Sequence, residues 1–355
     1  MPKIKVLVVD DSAFMRKVIS QILGEDSEIE VGGTARDGKE ALKKINEINP
    51  DVITLDVEMP GLGGLETLGY IMSEKPTPVI MLSAYTPGGA EITLRALEYG
   101  AVDFVCKPSG EISLDIKKVQ KELVEKVRAA KNTDLSNLRF ITPDSLSVET
   151  PKKEKGLKSE ALVIIASSTG GPRALAEVIP KLRRNIPASF LVVQHMSAGF
   201  TKTLAERIDR QSLLKVKEAE NGEIIEAGNV YIAPGNYHME VNPADKERYC
   251  LILNRKPSRL GVRPCADITV FSAAEKFRGK IIEVVLTGMG RDGAESSLAV
   301  SGKKGTVIAQ DESSCVIYGM PKAVFEKGKT DIVKPLGEIA DAIMTEIENA
   351  AEKVK

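Results

Sequence analysis

The stretch ALVIIASSTGGP (161–172) predicts a buried strand that turns sharply into a helix. Its aliphatic residues follow one another without polar alternation, which is typical of a parallel strand covered on both faces. The two glycines permit a tight turn, and the proline after them suits the first turn of a helix. Ser168 and Thr169 therefore lie at the end of a strand, where open α/β sheets gather their active sites.

Two later stretches, FLVVQHMS (190–197) and IEVVLTGMGRDGAE (282–295), have the same form. In each, an aliphatic run stops at a reactive residue, His195 in the first and Asp292 in the second. The carboxyl ends of parallel strands share one edge of a sheet, so we expect the three sites to converge. We interpret Ser168 as a nucleophile, His195 as its general base and Asp292 as the group that orients the imidazole.

The residues around this predicted triad suggest how a negative charge would be stabilised. Thr169 lies at a predicted helix N-terminus, whose free N–H groups favour an oxyanion. The loop TGMG (287–290) could add a backbone donor, and Met289 is the residue that we select. Each part has a plainer alternative. The S-T-G-G turn could hold a phosphate, a strand-end histidine could be structural, and Asp292 could cap the following helix. His238 could contact substrate or pack at a hairpin.

Strand and helix patterns alternate along both halves of the chain, which predicts βαβ units and parallel sheets. Residues 1–130 contain five such strands and are expected to form a flavodoxin-like domain. Residues 131–158 are rich in Ser, Thr, Pro and Lys and are interpreted as a linker. Residues 159–355 predict a doubly wound, mostly parallel α/β domain, with a small antiparallel hairpin in HMEVNPADKERYCLILNR (238–255).

Polar residues also end the strands of the first half. Asp10 and Asp11 follow the first strand, Asp56 ends the third, Ser83 the fourth and Lys107 the fifth. Carboxylates gathered at one edge suit Mg²⁺, which would offset the repulsion between Asp56 and an incoming phosphoryl group. Asp56 would then be a nucleophile that forms an acyl phosphate. Ser83 would hydrogen-bond a phosphoryl oxygen and Lys107 would supply a positive charge.

These residues lie in the motifs VVDDSAFMR, LDVEMPGLGG, MLSAY and VCKP, whose order and spacing closely resemble those of two-component receiver domains. The resemblance covers about residues 1–125 and implies phosphorylation of Asp56 by a histidine kinase. It also implies Mg²⁺ at Asp11 and Asp56 with Asp10 close by, and a switch made of Ser83 and Lys107. In such receivers the carbonyl of the residue two past the phosphorylated Asp, here Glu58, often completes the metal shell. Tyr85 could either pack or take part in the switch.

The motifs ASSTGGPRAL, VVQHM, APGNYHM, LTGMGRDGA and TVIAQDESSCVIYGMPKA, together with the receiver, resemble the chemotaxis protein-glutamate methylesterases. This resemblance implies hydrolysis of γ-glutamyl methyl esters on the cytoplasmic helices of chemoreceptors, and some relatives also deamidate receptor glutamines. It identifies Ser168 rather than Ser167 as the nucleophile and completes the triad with His195 and Asp292. It further implies that the unphosphorylated receiver blocks the esterase site and that phosphorylation opens it.

Composition adds expectations about partners and location. The chain has 49 basic and 50 acidic residues in 355, so no excess charge favours nucleic acid or a membrane surface. The N-terminal apolar run is too short for a span and ends in two aspartates, so it does not resemble a signal peptide and a cytoplasmic protein is expected. The resemblance implies that such a protein meets membranes only through receptors. We expect Mg²⁺ in the receiver and no cofactor in the esterase.

Two other functions remain open at this level. The same triad could hydrolyse a small ester under receiver control. Alternatively, the second half could be a non-enzymatic nucleotide-binding module, although the usual G-x-G-x-x-G and G-x-x-x-x-G-K-S/T patterns do not follow the relevant strand. The residues do not identify which receptor glutamates are hydrolysed, whether glutamine is a substrate, or the oligomeric state.

Overall fold

The computed structural model describes residues 2–84, 86–107, 114–135 and 159–352, with the side chains of 87 and 114–118 excepted. The chain divides into two compact units, Met1–Thr142 and Pro143–Lys355. Most of the predicted linker, and Tyr85, lie outside the described residues.

The first unit is built on a five-stranded parallel sheet. Its strands are β1 (Ile4–Val9), β2 (Ile29–Ala35), β3 (Val52–Asp56), β4 (Val79–Ser83) and β5 (Asp103–Cys106), and its helices are α1 (Ala13–Gly24), α2 (Gly38–Ile48), α3 (Gly64–Glu74), α4 (Pro87–Glu98) and α5 (Leu114–Lys131). The strand order is β2-β1-β3-β4-β5, with every neighbouring pair parallel. This is the flavodoxin-like order, so the predicted fold of the first half is confirmed.

Local sequence explains where several of these helices begin. The Asp37 side chain accepts a hydrogen bond from the Glu40 N–H at 2.8 Å and caps α2, and Thr86 caps α4 in the same way through the Gly89 N–H. These short polar side chains satisfy N–H groups that the first helical turn leaves unpaired. The helices therefore start directly after the strand ends, and the loops that hold the polar residues are short.

The second unit contains a seven-stranded parallel sheet and a separate two-stranded hairpin. Its strands are β6 (Ala161–Ser167), β7 (Ala188–Gln194), β8 (Lys215–Glu218), β9 (Asn229–Ile232), β10 (His238–Pro243), β11 (Tyr249–Asn254), β12 (Lys280–Val285), β13 (Thr306–Gln310) and β14 (Ile332–Lys334). Its helices are α6 (Gly171–Val178), α7 (Phe200–Asp209), α8 (Ala266–Lys276), α9 (Ser296–Gly302), α10 (Met320–Glu326) and α11 (Leu336–Glu352).

In this sheet, the direction in which successive strands are added reverses next to β6. The order is β14-β13-β12-β6-β7-β9-β8, so the chain moves outward from β6 to one side and later returns to fill the other. Every residue of β6 and β7 is buried, as their unbroken aliphatic runs predicted. The β10–β11 hairpin is antiparallel. The predicted doubly wound sheet with a small hairpin is confirmed.

Helix α8 was not anticipated from the sequence. Its residues, ADITVFSAAEK, are mostly small or β-branched, and seven of them are buried. A helix with so little polar contrast between its faces has a weak periodic signal. The first turn of α8 nevertheless lies against the predicted active site, as described below.

Candidate active site and phosphorylation site

The two neighbouring serines at the end of β6 have different environments. Ser167 is fully buried, and its hydroxyl donates to Oε1 of Gln194 at 2.6 Å. Ser168 is partly exposed. Ser167 is the last residue of β6, whereas Ser168 begins the turn into α6 at the carboxyl end of the sheet. This arrangement favours Ser168 as the reactive hydroxyl.

Gln194, at the end of β7, fixes the turn that carries Ser168. Its Nε2 donates to the carbonyl oxygens of Ser168 at 2.9 Å and His195 at 3.1 Å. Gly171 is required beside it, because a Cβ there would lie 2.0 Å from Oε1 of Gln194. The backbone N–H of His195 donates to the Ser167 carbonyl at 3.0 Å. The ends of β6 and β7 are therefore held side by side.

His195 and Asp292 meet directly. The imidazole Nε2 lies 2.7 Å from Oδ2 of Asp292, and the two side chains are 11% and 2% exposed. His195 follows β7 and Asp292 follows β12, and these strands lie on either side of β6. With Nε2 engaged by the carboxylate, Nδ1 is the ring nitrogen left for another hydrogen-bond partner. The structure thus brings the three predicted residues to neighbouring strand ends.

The Asp292 carboxylate lies at the N-terminus of α8. It accepts hydrogen bonds from the backbone N–H of Ala266 at 2.6 Å and of Asp267 at 2.9 Å, and from Sγ of Cys265 at 3.0 Å. Burial by itself would raise the pKa of Asp292, but the hydrogen bond and charge of His195 and these donors lower it to about 2. A helix N-terminus stabilises a negative charge in the same direction. Asp292 is therefore ionised across the neutral range.

This geometry corrects the plainer alternative for Asp292. Helix α9 begins after Glu295 without a side-chain cap, so Asp292 does not cap the helix that follows it. Its N–H partners in α8 precede it by 25 and 26 residues. The carboxylate is a tertiary contact of another helix.

Two more acidic side chains are buried behind Asp292. Asp267 accepts from the N–H groups of Gly293 and Ser296, which fixes the backbone on the C-terminal side of Asp292. Glu283 of β12 accepts from the Ser296 hydroxyl at 2.7 Å. Burial raises the pKa of Glu283 well above its usual range, and the charges of Asp267 and Asp292 act in the same direction. Burial therefore favours the protonated form of Glu283.

The loop after β12 approaches Ser168 closely. Gly288 lacks a side chain at the contact, where a Cβ would lie 2.7 Å from Cβ of Ser168. The Ser168 N–H donates to the Thr287 carbonyl at 3.1 Å, so it is not available to a substrate oxygen. Met289 follows in this loop and is partly exposed. Thr169 is buried, and its carbonyl accepts from the Thr287 hydroxyl at 3.1 Å.

His238 is a buried structural residue of the hairpin. It has no exposed surface, and its Nε2 lies 3.1 Å from the carbonyl oxygen of Pro257. Burial lowers the pKa of His238, and the positive charge of Arg263 adds to that effect. This supports the packing alternative over contact with substrate.

The first unit gathers its predicted residues at the carboxyl edge of the sheet. Lys107 Nζ lies 2.8 Å from Oδ2 of Asp10 and 2.7 Å from Oδ2 of Asp56. Burial, assisted by the charge of Asp10, raises the pKa of Asp56 to about 6 although Lys107 opposes it. The Asp56 carboxylate also accepts from the Glu58 N–H at 3.3 Å, and Asp11 is exposed.

These carboxylates fit a divalent cation. Ligand oxygens of Asp10, Asp11 and Asp56 can lie within 4.8 Å of one another. Hard oxygen ligands in this number are what Mg²⁺ prefers in proteins. Ser83 is buried beside them at the end of β4, and its hydroxyl accepts from Oγ1 of Thr93 at 2.8 Å. The five sites predicted from the strand ends, Asp10, Asp11, Asp56, Ser83 and Lys107, thus share one edge.

Comparison with known proteins matches both units. The family model described as CheB methylesterase matches residues 163–343, and that of the response regulator receiver domain matches residues 6–117. The chain belongs to the CheB methylesterase family. It is a hydrolase with a receiver domain.

Similar proteins extend over nearly the full chain. A protein-glutamate methylesterase/protein-glutamine glutaminase of Pyrococcus abyssi is 46% identical over 347 residues, covering 98% of this chain and 94% of its own. One from Syntrophomonas wolfei, numbered 1, is 48% identical over 354 residues, covering 97% and 99%. The crystal structure of the Thermotoga maritima CheB methylesterase catalytic domain aligns with a TM-score of 0.51 and 47% identity, covering 52% of this chain and 97% of that one.

Sequence reasoning missed the residues that support Asp292. Cys265, Ala266 and Asp267 supply three of its hydrogen bonds, yet none of them was singled out. An acidic residue in the first turn of a helix that follows a proline would have been the signal, but it would have suggested only a helix start.

None of the helices among the described residues is long and apolar enough to cross a membrane.

Proposed function

We propose that this chain hydrolyses the γ-methyl esters of glutamate side chains on chemoreceptors, with Ser168 as the nucleophile. The observation that carries the proposal is the 2.7 Å contact between His195 and Asp292 at strand ends that flank Ser168. Two relatives that are 46% and 48% identical to the chain support this substrate, since both are named protein-glutamate methylesterase/protein-glutamine glutaminase.

In the acylation step, Oγ of Ser168 attacks the ester carbonyl carbon while Nδ1 of His195 takes the hydroxyl proton. The tetrahedral intermediate then collapses, the bond to the methoxy oxygen breaks, and His195 returns the proton so that methanol leaves. The pKa of Asp292 of about 2 keeps a negative charge beside the imidazolium that forms. That charge stabilises the intermediate and holds the ring in place.

In the second step, deacylation, a water molecule takes the place of the released methanol, and attack and collapse occur again. His195 takes a proton from water, the hydroxide attacks the acyl-enzyme, and the proton goes to Oγ of Ser168 as the glutamate carboxylate leaves. A glutamine side chain follows the same course with ammonia as the first leaving group. The N–H groups of Thr169 and Met289 are the proposed donors to the developing oxyanion.

Phosphorylation of Asp56 is proposed to raise the esterase rate. A carboxylate oxygen of Asp56 would attack the phosphorus of the kinase phosphohistidine, the P–N bond would break, and the donor imidazole would leave. Lys107 and Ser83 would then contact the phosphoryl oxygens of the acyl phosphate. When Mg²⁺ is bound by Asp10, Asp11, Asp56 and the Glu58 carbonyl, it offsets the repulsion between carboxylate and phosphate. Near-complete switching requires the phosphorylated state to favour the active form by roughly 5 kcal/mol.

The proposal includes a phosphodonor and a protein substrate as partners. The phosphodonor is a chemotaxis histidine kinase, the substrate is a methylated receptor segment in the cytoplasm, and the enzyme acts there without entering the membrane. Neither nucleic acid nor an esterase cofactor is part of the proposal.

Release of methanol from methyl-esterified receptor cytoplasmic fragments tests the proposal. The full chain would be assayed with and without Mg²⁺ and acetyl phosphate, beside Ser168→Ala and Asp56→Asn. We expect release that rises with phosphodonor, disappears in Ser168→Ala and stays at the basal rate in Asp56→Asn. Release that persists in Ser168→Ala would refute the nucleophile, and normal activation of Asp56→Asn would refute the phosphorylation site.

A further inference from the structure

The segment RKPSRLGVR (255–263), here called the basic turn, lies on the surface beside the candidate active site. It holds four basic residues and no acidic one. Residues 255–261 are all exposed. The proposed mechanism uses none of these nine residues, so the concentration of charge calls for another explanation.

Hydrogen bonds connect the basic turn to the residues around Asp292. The turn runs into Cys265 and the first turn of α8, which bind the Asp292 carboxylate. Arg259 Nε lies 3.4 Å from Oδ2 of Asp267, whose own N–H donates to Asp292. The Pro257 carbonyl is fixed by the buried His238. The positive charges are therefore held at the margin of the catalytic residues.

The shape of the basic turn is also defined. Arg259 and Val262 form a bridge, with the Val262 N–H bonded to the Arg259 carbonyl at 3.0 Å. Leu260 and Gly261 at its tip have φ of 55° and 80°. The Leu260 side chain is 42% exposed despite this left-handed conformation, which disfavours residues other than glycine. An apolar side chain is thus displayed between basic ones.

Part of this positive charge is not neutralised within the protein. Lys256 pairs with Glu240 and Arg259 with Asp267, but no ion pair of Arg255 or Arg263 occurs among the described residues. The guanidinium of Arg255 lies over the ring of Tyr237, 4.6 Å from its centroid, which holds its position without cancelling its charge. Such groups can bind an external carboxylate.

We propose that the basic turn is a docking surface for the acidic protein segment that flanks the scissile ester. The inference rests on the proposed function and adds to it a class of substrate sequence. Each hydrolysed ester becomes a carboxylate, so a segment with several modifiable glutamates becomes more acidic as the reaction proceeds. Complementary charge then favours association of the acidic segment with the basic turn and its correct alignment there.

The test compares a charge reversal in the basic turn with a matched reversal elsewhere. The variant is Arg255→Glu/Lys256→Glu in the full chain. The control is Arg183→Glu/Arg184→Glu, an adjacent exposed pair on the chain that enters the amino end of β7. Each pair contains one residue with a carboxylate partner, Glu240 for Lys256 and Glu348 for Arg183. The swap Arg255→Lys/Lys256→Arg keeps the charge.

Two substrates separate docking from chemistry. One is a methyl-esterified receptor cytoplasmic fragment, and the other is the uncharged peptide acetyl-Ala-Glu(OMe)-Ala-amide. For the fragment, we expect the reversal to raise KM by about tenfold, to leave kcat nearly unchanged and to weaken the salt dependence of kcat/KM. For the short peptide, kcat/KM should match wild type. The control and the charge-keeping swap should behave as wild type with both.

Three results would overturn the proposal. One is an unchanged KM and salt dependence in the reversal variant, and another is an equal rise in KM in the Arg183/Arg184 control. A loss of activity on the short peptide as well would indicate damage to the site rather than loss of docking. If wild type released no methanol from either substrate, the proposed function itself would fail, and the docking proposal would fail with it.

Discussion

At the scale of single residues, the end of β6 distinguishes two serines that look equivalent in the sequence. Ser167 is the last residue of β6 and bonds to Gln194, while Ser168 lies in the turn after the strand and is partly exposed. Asp292 differs from an ordinary surface carboxylate because it is buried and receives several hydrogen bonds. Both cases show side-chain chemistry determined by contacts with another strand or helix.

Replacement of the two serines should have different consequences. Ser168→Ala should abolish ester hydrolysis with little change in unfolding temperature, since its hydroxyl is partly exposed. Ser167→Ala should retain a substantial rate but lose about 1 kcal/mol of stability, because its buried hydroxyl bonds to Gln194. Methanol release and thermal unfolding of both variants provide the measurement. The reverse pattern of activities would identify Ser167 as the nucleophile.

Asp292→Asn should lower kcat by about 10⁴, the size of effect that the loss of a correctly oriented imidazole has in serine hydrolases. The low pKa of Asp292, about 2, places its own titration far below the pH range of activity. Ionisation of Asp292 should therefore not appear in the wild-type pH–rate profile between pH 4 and 8. A limb in that range that is lost in Asp292→Asn would contradict this assignment.

At the scale of elements, the candidate active site depends on contacts between β12, α8 and α9. Asp267 at the start of α8 accepts from Gly293 and Ser296, and Glu283 of β12 accepts from Ser296. These bonds hold the segment that carries Asp292 against the helix N-terminus that stabilises its charge. Oε1 of Glu283 accepts from Ser296 and its buried Oε2 has no hydrogen-bond partner among the described residues, so burial favours the uncharged form of this carboxyl.

Glu283→Gln should change how stability depends on pH. The pKa of Glu283 is raised by burial, so its contribution is fully present below the unfolded-state pKa and is lost as pH rises through the folded-state pKa. Glutamine cannot ionise, so the variant should become progressively more stable relative to wild type as pH rises above the unfolded-state pKa of Glu283. Over each pH unit in which Glu283 is ionised in the unfolded but not in the folded wild type, the free energy of unfolding of wild type falls by about 1.4 kcal/mol.

Chemical denaturation at several pH values measures this difference, with Glu275→Gln, a change at an exposed carboxylate on α8, as the control. Parallel stability curves for wild type and Glu283→Gln would mean that Glu283 is ionised in the folded protein.

At the scale of the whole molecule, the chain consists of two compact units, each with its own sheet and buried core. All three residues of the candidate triad lie in the second unit, and the candidate phosphorylation site lies in the first. The catalytic groups and their supporting hydrogen bonds therefore do not require the receiver for their formation. Under the proposed function, phosphorylation of the first unit would act on this already assembled site.

A fragment of residues 159–355 should fold alone and hydrolyse methylated receptor fragments. We expect a rate at least equal to that of the unphosphorylated full chain and no response to acetyl phosphate, because Asp56 is absent. The control is the full-length Asp56→Asn variant, which should remain at the basal rate. A fragment that is folded by circular dichroism but slower than the unphosphorylated chain would contradict inhibition by the receiver.

Much of the architecture could be predicted because its signals are local. Unbroken aliphatic runs predicted β6 and β7, and the alternation of strands and helices predicted both parallel sheets. Strand ends marked the three residues of the predicted triad, since the carboxyl ends of parallel strands share an edge whatever the details of packing. The weakly amphipathic α8 gave no such pattern and was missed.

The sequence by itself determined the two α/β units and the strand-end positions of the candidate site residues, because periodicity and strand-end position are read within a few residues. Only the tertiary structure decided that Ser167 turns toward Gln194, that Asp292 lies against α8 and that Glu283 is buried beside Asp267. These outcomes depend on hydrogen bonds and burial between segments far apart in the chain. A carboxylate acquires its charge state and partners from that surrounding structure, which no local pattern specifies.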